Sequence, residues 1–125
     1  MNTTRPTRVA NFVASGAIGG RRIVKLSDEQ TALLAGAATD KAVGISDKPG
    51  AADTERCDVV LSGGAELILG GTVVVGDLIM SDAAGAGVVA AAAAGSNVRT
   101  IGIALAAGVS GDFIPVEVCI GSFQG

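Results

Sequence analysis

The sequence contains no His, no Trp and no Tyr, and its only aromatic residues are Phe12, Phe113 and Phe123. Each absence excludes something. His is the side chain whose ordinary pKa lies near neutrality and is the usual general base, so a hydrolase triad built on it is excluded, as is metal binding through imidazole. Cys57 and Cys119 are too few and too far apart to form a zinc cluster. Base rates favour two buried free thiols over a disulfide, and the sequence leaves both open. No catalytic residue, no cofactor and no metal site is expected, so the chain is expected not to be an enzyme. The shortage of aromatics also thins the core, because aromatic side chains supply the largest burial per residue. At 125 residues the chain fits a single domain. Built on Val, Ile, Leu and Ala, that domain is expected to bury further surface against copies of itself or a partner.

Long apolar runs are lacking as well. The longest, residues 83–95, is short, Ala-rich and broken by Gly, far from the roughly 20 apolar residues that span a bilayer. Arg5 and Arg8 precede an apolar run, as in a secretion signal, but Asn11, Ser15 and Gly16 interrupt it. A soluble protein with an uncleaved start, made in a cytoplasm and not bound to membrane, is expected. Phosphate-binding loops are absent too. Gly85-Ala86-Gly87-Val88-Val89-Ala90 formally matches a dinucleotide-binding turn, yet Gly95 follows too soon for the required helix, and no acidic residue appears before Asp112. Val75-Gly76-Asp77-Leu78 matches a turn of biotinyl and lipoyl carrier domains, but those need a lysine and none occurs from Pro49 to Gly125. Asp53 and Glu55 form a carboxylate pair in a stretch whose Pro49-Gly50 dipeptide signals an exposed loop.

The charge is lopsided. Arg5, Arg8, Arg21, Arg22 and Lys25 precede the first acidic residue, Asp28, and the remaining chain is net −8. The basic segment either meets an acidic surface or is a solvated arm. Direct nucleic-acid binding is not expected, because no aromatic platforms interleave with these arginines.

Glycine punctuates short runs of Val, Ile and Leu throughout, the pattern of short strands and tight turns. Candidate strands are 8–14, 22–26, 31–35, 42–45, 57–61, 65–69, 72–75, 77–80, 87–91, 98–105 and 113–120. In the last, Ile114, Val116, Val118 and Ile120 share one face, while Pro115 points to an edge strand or a strand start. Helix signals are confined to a turn at 27–31 and two turns at most around 90–94. The order of motifs also suggests an internal repeat, the alternative being coincidence in a low-complexity chain rich in Ala, Gly and Val. Leu26-Ser27-Asp28, Leu33-Leu34-Ala35 and Val43-Gly44-Ile45 correspond in order to Met80-Ser81-Asp82, Val88-Val89-Ala90 and Ile101-Gly102-Ile103. With Ser62-Gly63-Gly64 read as a hairpin turn between the copies, the expected fold is all-β. It is a compact barrel or sandwich at 17–125, preceded by an extended arm at 1–16.

The succession of an early Gly-rich strand, Val43-Gly44-Ile45-Ser46, the segment Gly71-Thr72-Val73-Val74-Val75-Gly76-Asp77-Leu78-Ile79-Met80-Ser81-Asp82-Ala83-Ala84-Gly85, then Ile101-Gly102-Ile103-Ala104-Leu105 and a final Val/Ile strand resembles the capsid cement, or head decoration, proteins of tailed bacteriophages. The resemblance runs from about Ala17 to Ile120. It implies a small β-barrel-like, non-catalytic domain on the outer surface of the virion capsid, binding the major capsid protein as an oligomer, a trimer by family, and stabilising the shell. Such a protein would reside in the host cytoplasm during assembly. Arg5, Arg8, Arg21 and Arg22, with Phe12 as apolar anchor, are the expected capsid-facing residues. On that reading, deleting residues 1–15 removes binding and leaves the domain folded. A tail- or fibre-associated β module binding another virion protein or a host surface is the alternative.

Overall fold

The computed structural model describes residues 6–47, 50–92 and 94–124, and among them the chain is all-β, with no helix. Eleven strands follow in order: β1 Pro6–Ala14, β2 Ile18–Gly19, β3 Ile23–Asp28, β4 Thr31–Leu34, β5 Ala42–Ser46, β6 Gly50–Ala51, β7 Arg56–Ile68, β8 Leu78–Ser81, β9 Gly87–Val89, β10 Asn97–Ala104 and β11 Phe113–Gln124. The main sheet runs β1-β4-β3-β5-β7-β11-β10-β8-β9, and β1 pairs with β7 as well. That extra pairing closes β1, β4, β3, β5 and β7 into a small barrel. Strands β11, β10, β8 and β9 extend from the far half of β7.

The repeat seen in the sequence is a repeat of topology. β3 forms a hairpin with β4 and takes β5 on its other edge; β8 forms a hairpin with β9 and takes β10 on its other edge. β5 is followed, after the short β6, by β7, and β10 by β11, and β7 and β11 meet antiparallel at the centre. Each half also lends a loop to the other. The Ile23 N–H donates to the Gly85 carbonyl at 2.8 Å, and the Arg99 N–H donates to the Ala38 carbonyl at 2.9 Å. The glycines at the heart of each copy are structural equivalents. A Cβ on Gly44 would strike the Val60 carbonyl of β7, and one on Gly102 would strike the Glu117 carbonyl of β11.

Several expectations change. Residues 6–14 are not an arm: β1 pairs with β7 from Pro6 to Val13 and buries Phe12 and Ala14. The alternation of residues 10–14 gives this strand an apolar inner face, and burying it closes the barrel; deleting 1–15 would therefore open the fold. Ser62-Gly63-Gly64 is not a hairpin turn. β7 runs through it as one strand of 13 residues. Gly63 adopts φ +88 there, the left-handed geometry of a bulge, and Thr7 presses where a Cβ would stand. Residues 72–75 supply only a bridge, Val73 to Gly108. Pro115 lies inside the sheet, opposite Glu66 of β7. Its carbonyl accepts from the Leu105 N–H at 3.0 Å, just beyond the end of β10, so its missing donor faces a place where the neighbouring ladder has already stopped. The turn at 27–31 is the β3–β4 hairpin, in which the Gln30 N–H donates to Asp28 Oδ1 at 2.9 Å. That bond is the first reason the Asp28 carboxyl titrates below its ordinary value.

The core has two parts. Phe12, Ala14, Ile18, Val24, Ala32, Cys57 and Val59 fill the barrel, and a larger cluster including Ile45, Leu67, Ile79, Ile101 and Val116 joins the barrel to the extension. Neither cysteine is bridged, and Cys119 is exposed, because it falls on the outward side of the alternation that buries Val116 and Val118. Cys57 is buried, and desolvation, helped by the charges of Asp58 and Asp47, pushes its thiol pKa up.

Two predictions follow from these contacts. Gly44→Ala and Gly102→Ala should each lower the unfolding free energy by about 2–3 kcal/mol, the scale of an overpacked core position. Gly95→Ala meets nothing nearby and carries only its left-handed φ of +80, so urea denaturation should show about 1 kcal/mol. In the loop lent to β10, Asp40 Oδ2 accepts from the Gly36 N–H at 2.8 Å and from Lys25 Nζ at 3.0 Å. The backbone bond first, and Lys25 second, hold its carboxyl below the ordinary value of 3.8. Its stabilisation is therefore complete above that value and is lost as pH falls through the lowered one. The stability gap between wild type and Asp40→Asn should be constant near neutrality and close below about pH 4.

Candidate interaction surface

The segment after β7 and the segment after β10 have the same construction. In Val74-Val75-Gly76-Asp77, Asp77 Oδ2 accepts from the Val74 N–H at 3.0 Å; in Val109-Ser110-Gly111-Asp112, Asp112 Oδ2 accepts from the Val109 N–H at 3.0 Å. Gly76 and Gly111 take nearly the same left-handed φ, +91 and +92, which is what glycine supplies at such turns. The Gly76 N–H donates to the Ala104 carbonyl and the Gly111 N–H to the Leu69 carbonyl, both at 2.8 Å. Val73 and Gly108 exchange two backbone hydrogen bonds between the segments. The two turns thus form one self-braced unit at the end of the sheet, with each aspartate spent on its own backbone.

This rim is apolar where solvent would favour polar residues. Of the nine large hydrophobic residues exposed among the described residues, seven lie here. One lobe holds Val74, Val75, Leu78, Ile103 and Leu105, with Leu78 directly opposite Ile103. The other holds Val109 and Phe113, the latter 48% exposed. Together these side chains present on the order of 600 Å², the upper end for the largest apolar patch of a monomer. Interfaces of standard size take about 800 Å² per partner, a little over half of it apolar. The rim supplies that apolar share.

Arg21 is fixed beside the second lobe. It adopts φ +63, a conformation uncommon outside glycine, and is held there because its N–H donates to the Ser46 carbonyl while its own carbonyl accepts from the Ile68 N–H. The guanidinium then lies 4.5 Å from the centre of the Phe113 ring and pairs with Glu66 at 3.1 Å. A cleft of about 300 Å³ opens alongside, lined by Pro6, Arg21, Asp47 and Glu66 among others.

The structure distributes the expected capsid-facing residues unevenly. Arg5 lies outside the described residues. Arg8 is exposed on β1. Arg21 sits on Phe113, and half-buried Arg22 donates from Nη1 to the Ala84 carbonyl at 2.9 Å, so both serve the fold as well as the surface. Phe12 is 8% exposed and belongs to the barrel core, which removes it as an anchor. The exposed aromatic is Phe113, and its signal was in the sequence: it occupies an outward position in the alternation that sends Ile114 and Val116 inward. Gly85-Ala86-Gly87 closes the β8–β9 hairpin, with Gly87 already in β9 opposite Ser81, and does not start a helix. Asp53 accepts from the Gly16 N–H at 2.7 Å, and Glu55 from the Ala52 N–H at 2.9 Å, so that carboxylate pair organises a loop. Among the described residues no three potential metal ligands come together.

No family model matches the chain, and no curated protein matches it in sequence. Its fold is similar to the crystal structure of the N base of head fiber gp8.5 in bacteriophage phi29. The two share 13% identity, with 90% of this chain and 93% of that chain covered, at a TM-score of 0.66. At that identity the likeness is one of fold.

If the rim serves a partner and not the fold, its polar replacement should leave stability unchanged. The variant combining Val74→Ser, Val75→Ser and Val109→Ser should unfold within about 0.5 kcal/mol of wild type. Val73→Ser, at the buried bridge between them, should lose at least 2 kcal/mol or so. Denaturant midpoints of the two variants check this.

Proposed function

We propose that this chain is a structural, non-catalytic protein of a phage virion, which attaches to the outside of the head and stabilises the shell. The observation that carries the reading is the fold likeness to the phi29 head fiber base over nine-tenths of both chains. The order of motifs in the sequence, which resembles head decoration proteins, supports it independently. The apolar rim supports it chemically: a rigid β domain with a surface suited to a standard interface is what binding to a lattice requires, since many modest contacts sum over repeated sites. The major capsid protein is the partner on this reading, with the rim and Arg21 facing it, and the protein acts as an oligomer. A second reading, the base of a fibre anchored to the head, is favoured by the neighbour's own description.

Adding the purified protein to capsids that lack it separates the readings. Binding accompanied by a higher capsid disruption temperature supports cementing. Binding without that rise supports a fibre base. The Val74, Val75 and Val109 serine variant should lose occupancy by at least tenfold, about 1.4 kcal/mol. Absence of binding by the wild type would overturn both.

A further inference from the structure

We infer that the outer edge of β11, over residues 119–124, pairs antiparallel with the same edge of a second copy of this chain. β11 is paired to β7 only as far as Val118, which lies opposite Gly63. Its pairing with β10 continues to Gln124. Over its last six residues, therefore, one edge is engaged and, among the described residues, no strand pairs with the other. The direction of the free groups can be read from the neighbour. The Arg99 N–H turns away from β11 to the Ala38 carbonyl. Arg99 and Ser122 are then a pair that exchanges no hydrogen bonds, and Ser122 directs its own N–H and C=O to the outer edge.

Exposed edges are templates for pairing, and soluble proteins blunt them with charge, proline or shortness. The far end of the sheet follows that rule, because β9 has three residues. The β11 edge does not. From Val118 to Gln124 there is no charged residue and no proline. A second copy is the occupant this composition fits. In a twofold antiparallel pair each strand meets itself near the dyad, where like charges would face each other and repel; a neutral strand has no such conflict. With the dyad at Ser122, the two Ser122 residues exchange backbone hydrogen bonds and Ile120 faces Gln124 of the other copy. Such an interface is isologous and closed, so it joins two sheets without starting a fibre.

The inference concerns the free protein and stands apart from the capsid reading. Sedimentation of the full chain over concentrations up to about 100 μM, well above a micromolar dissociation constant, should show a dimer. Ser122→Pro removes an outward N–H without touching the ladder to β10, and it should weaken the dimer at least tenfold with an unchanged thermal transition. Ser122→Glu places two like charges at the dyad. Its dimer should be weak at low salt and recover at about 1 M salt, where the screening length falls to roughly 3 Å; a misfolded variant would not recover. A wild type that stays monomeric, or an assembly of any size that survives both substitutions unchanged, overturns the inference. So does pairing that needs an extended segment of another protein.

Discussion

The fold hangs on β7. Its first half is a barrel stave, flanked by β1 and β5, and its second half is the base on which β11 and the rest of the extension are laid. A strand can belong to two curved surfaces only if its backbone changes direction between them, and the change occurs at Gly63. There the left-handed φ and the close approach of Thr7 leave no room for a side chain. Strand closure and extension are therefore one event. β1 ends its pairing at Gly63 as β11 begins, so the two lie on opposite edges of the same residue. Losing β1 would expose the barrel core and also free the residue that sets the course of the extension.

The same logic explains the role of glycine elsewhere. Gly44 and Gly102 occupy equivalent places in the two copies and let a neighbouring carbonyl come closer than any Cβ permits. Tight coiling substitutes for bulk in a chain with three aromatic residues. The core is built from Ile, Val, Leu and Ala, side chains that fill little volume, and it reaches protein density by bringing backbones together.

Much of this was legible in the sequence. Class and most strands follow from Gly-bounded runs of β-branched residues, and the order of Ser-Asp turns and Gly-centred strands points to the repeat without separating it from coincidence, which only the matching strand pairings do. What was not legible has a common cause. Period-two alternation reports which residues share a face, but not which strand lies alongside. Residues 8–14 could be seen as a strand and still be taken as an arm, because their partners lie in β7, far along the chain. Gly63 reads as a turn in the sequence because a left-handed glycine serves a turn and a bulge equally well, and only the tertiary pairing separates the two. The position of the apolar surface is hidden in the sequence for a related reason. Charge asymmetry points to the arginines near the start, whereas exposure is decided by strand parity, which buries Phe12 and presents Phe113. The doubled Val-x-Gly-Asp turn shows as a pair only when residues 74–77 are set beside residues 109–112 of the same chain, because four residues are too short to stand out before their shared hydrogen bonding is seen.

Arg21 shows how surface and fold are joined. Its strained backbone is fixed by Ser46 of β5 and Ile68 of β7, the two strands that meet where barrel passes into extension. The side chain it projects is thereby held on Phe113 without relying on the weak energy of an exposed cation–π contact. An interface residue positioned by the backbone loses less conformational freedom when a partner arrives. The paired turns work in the same way, with Asp77 and Asp112 each bonded to its own loop. A protein that contributes contact area to an assembly gains most when that area is rigid before contact, and both elements of this rim are braced by hydrogen bonds already made in the isolated chain.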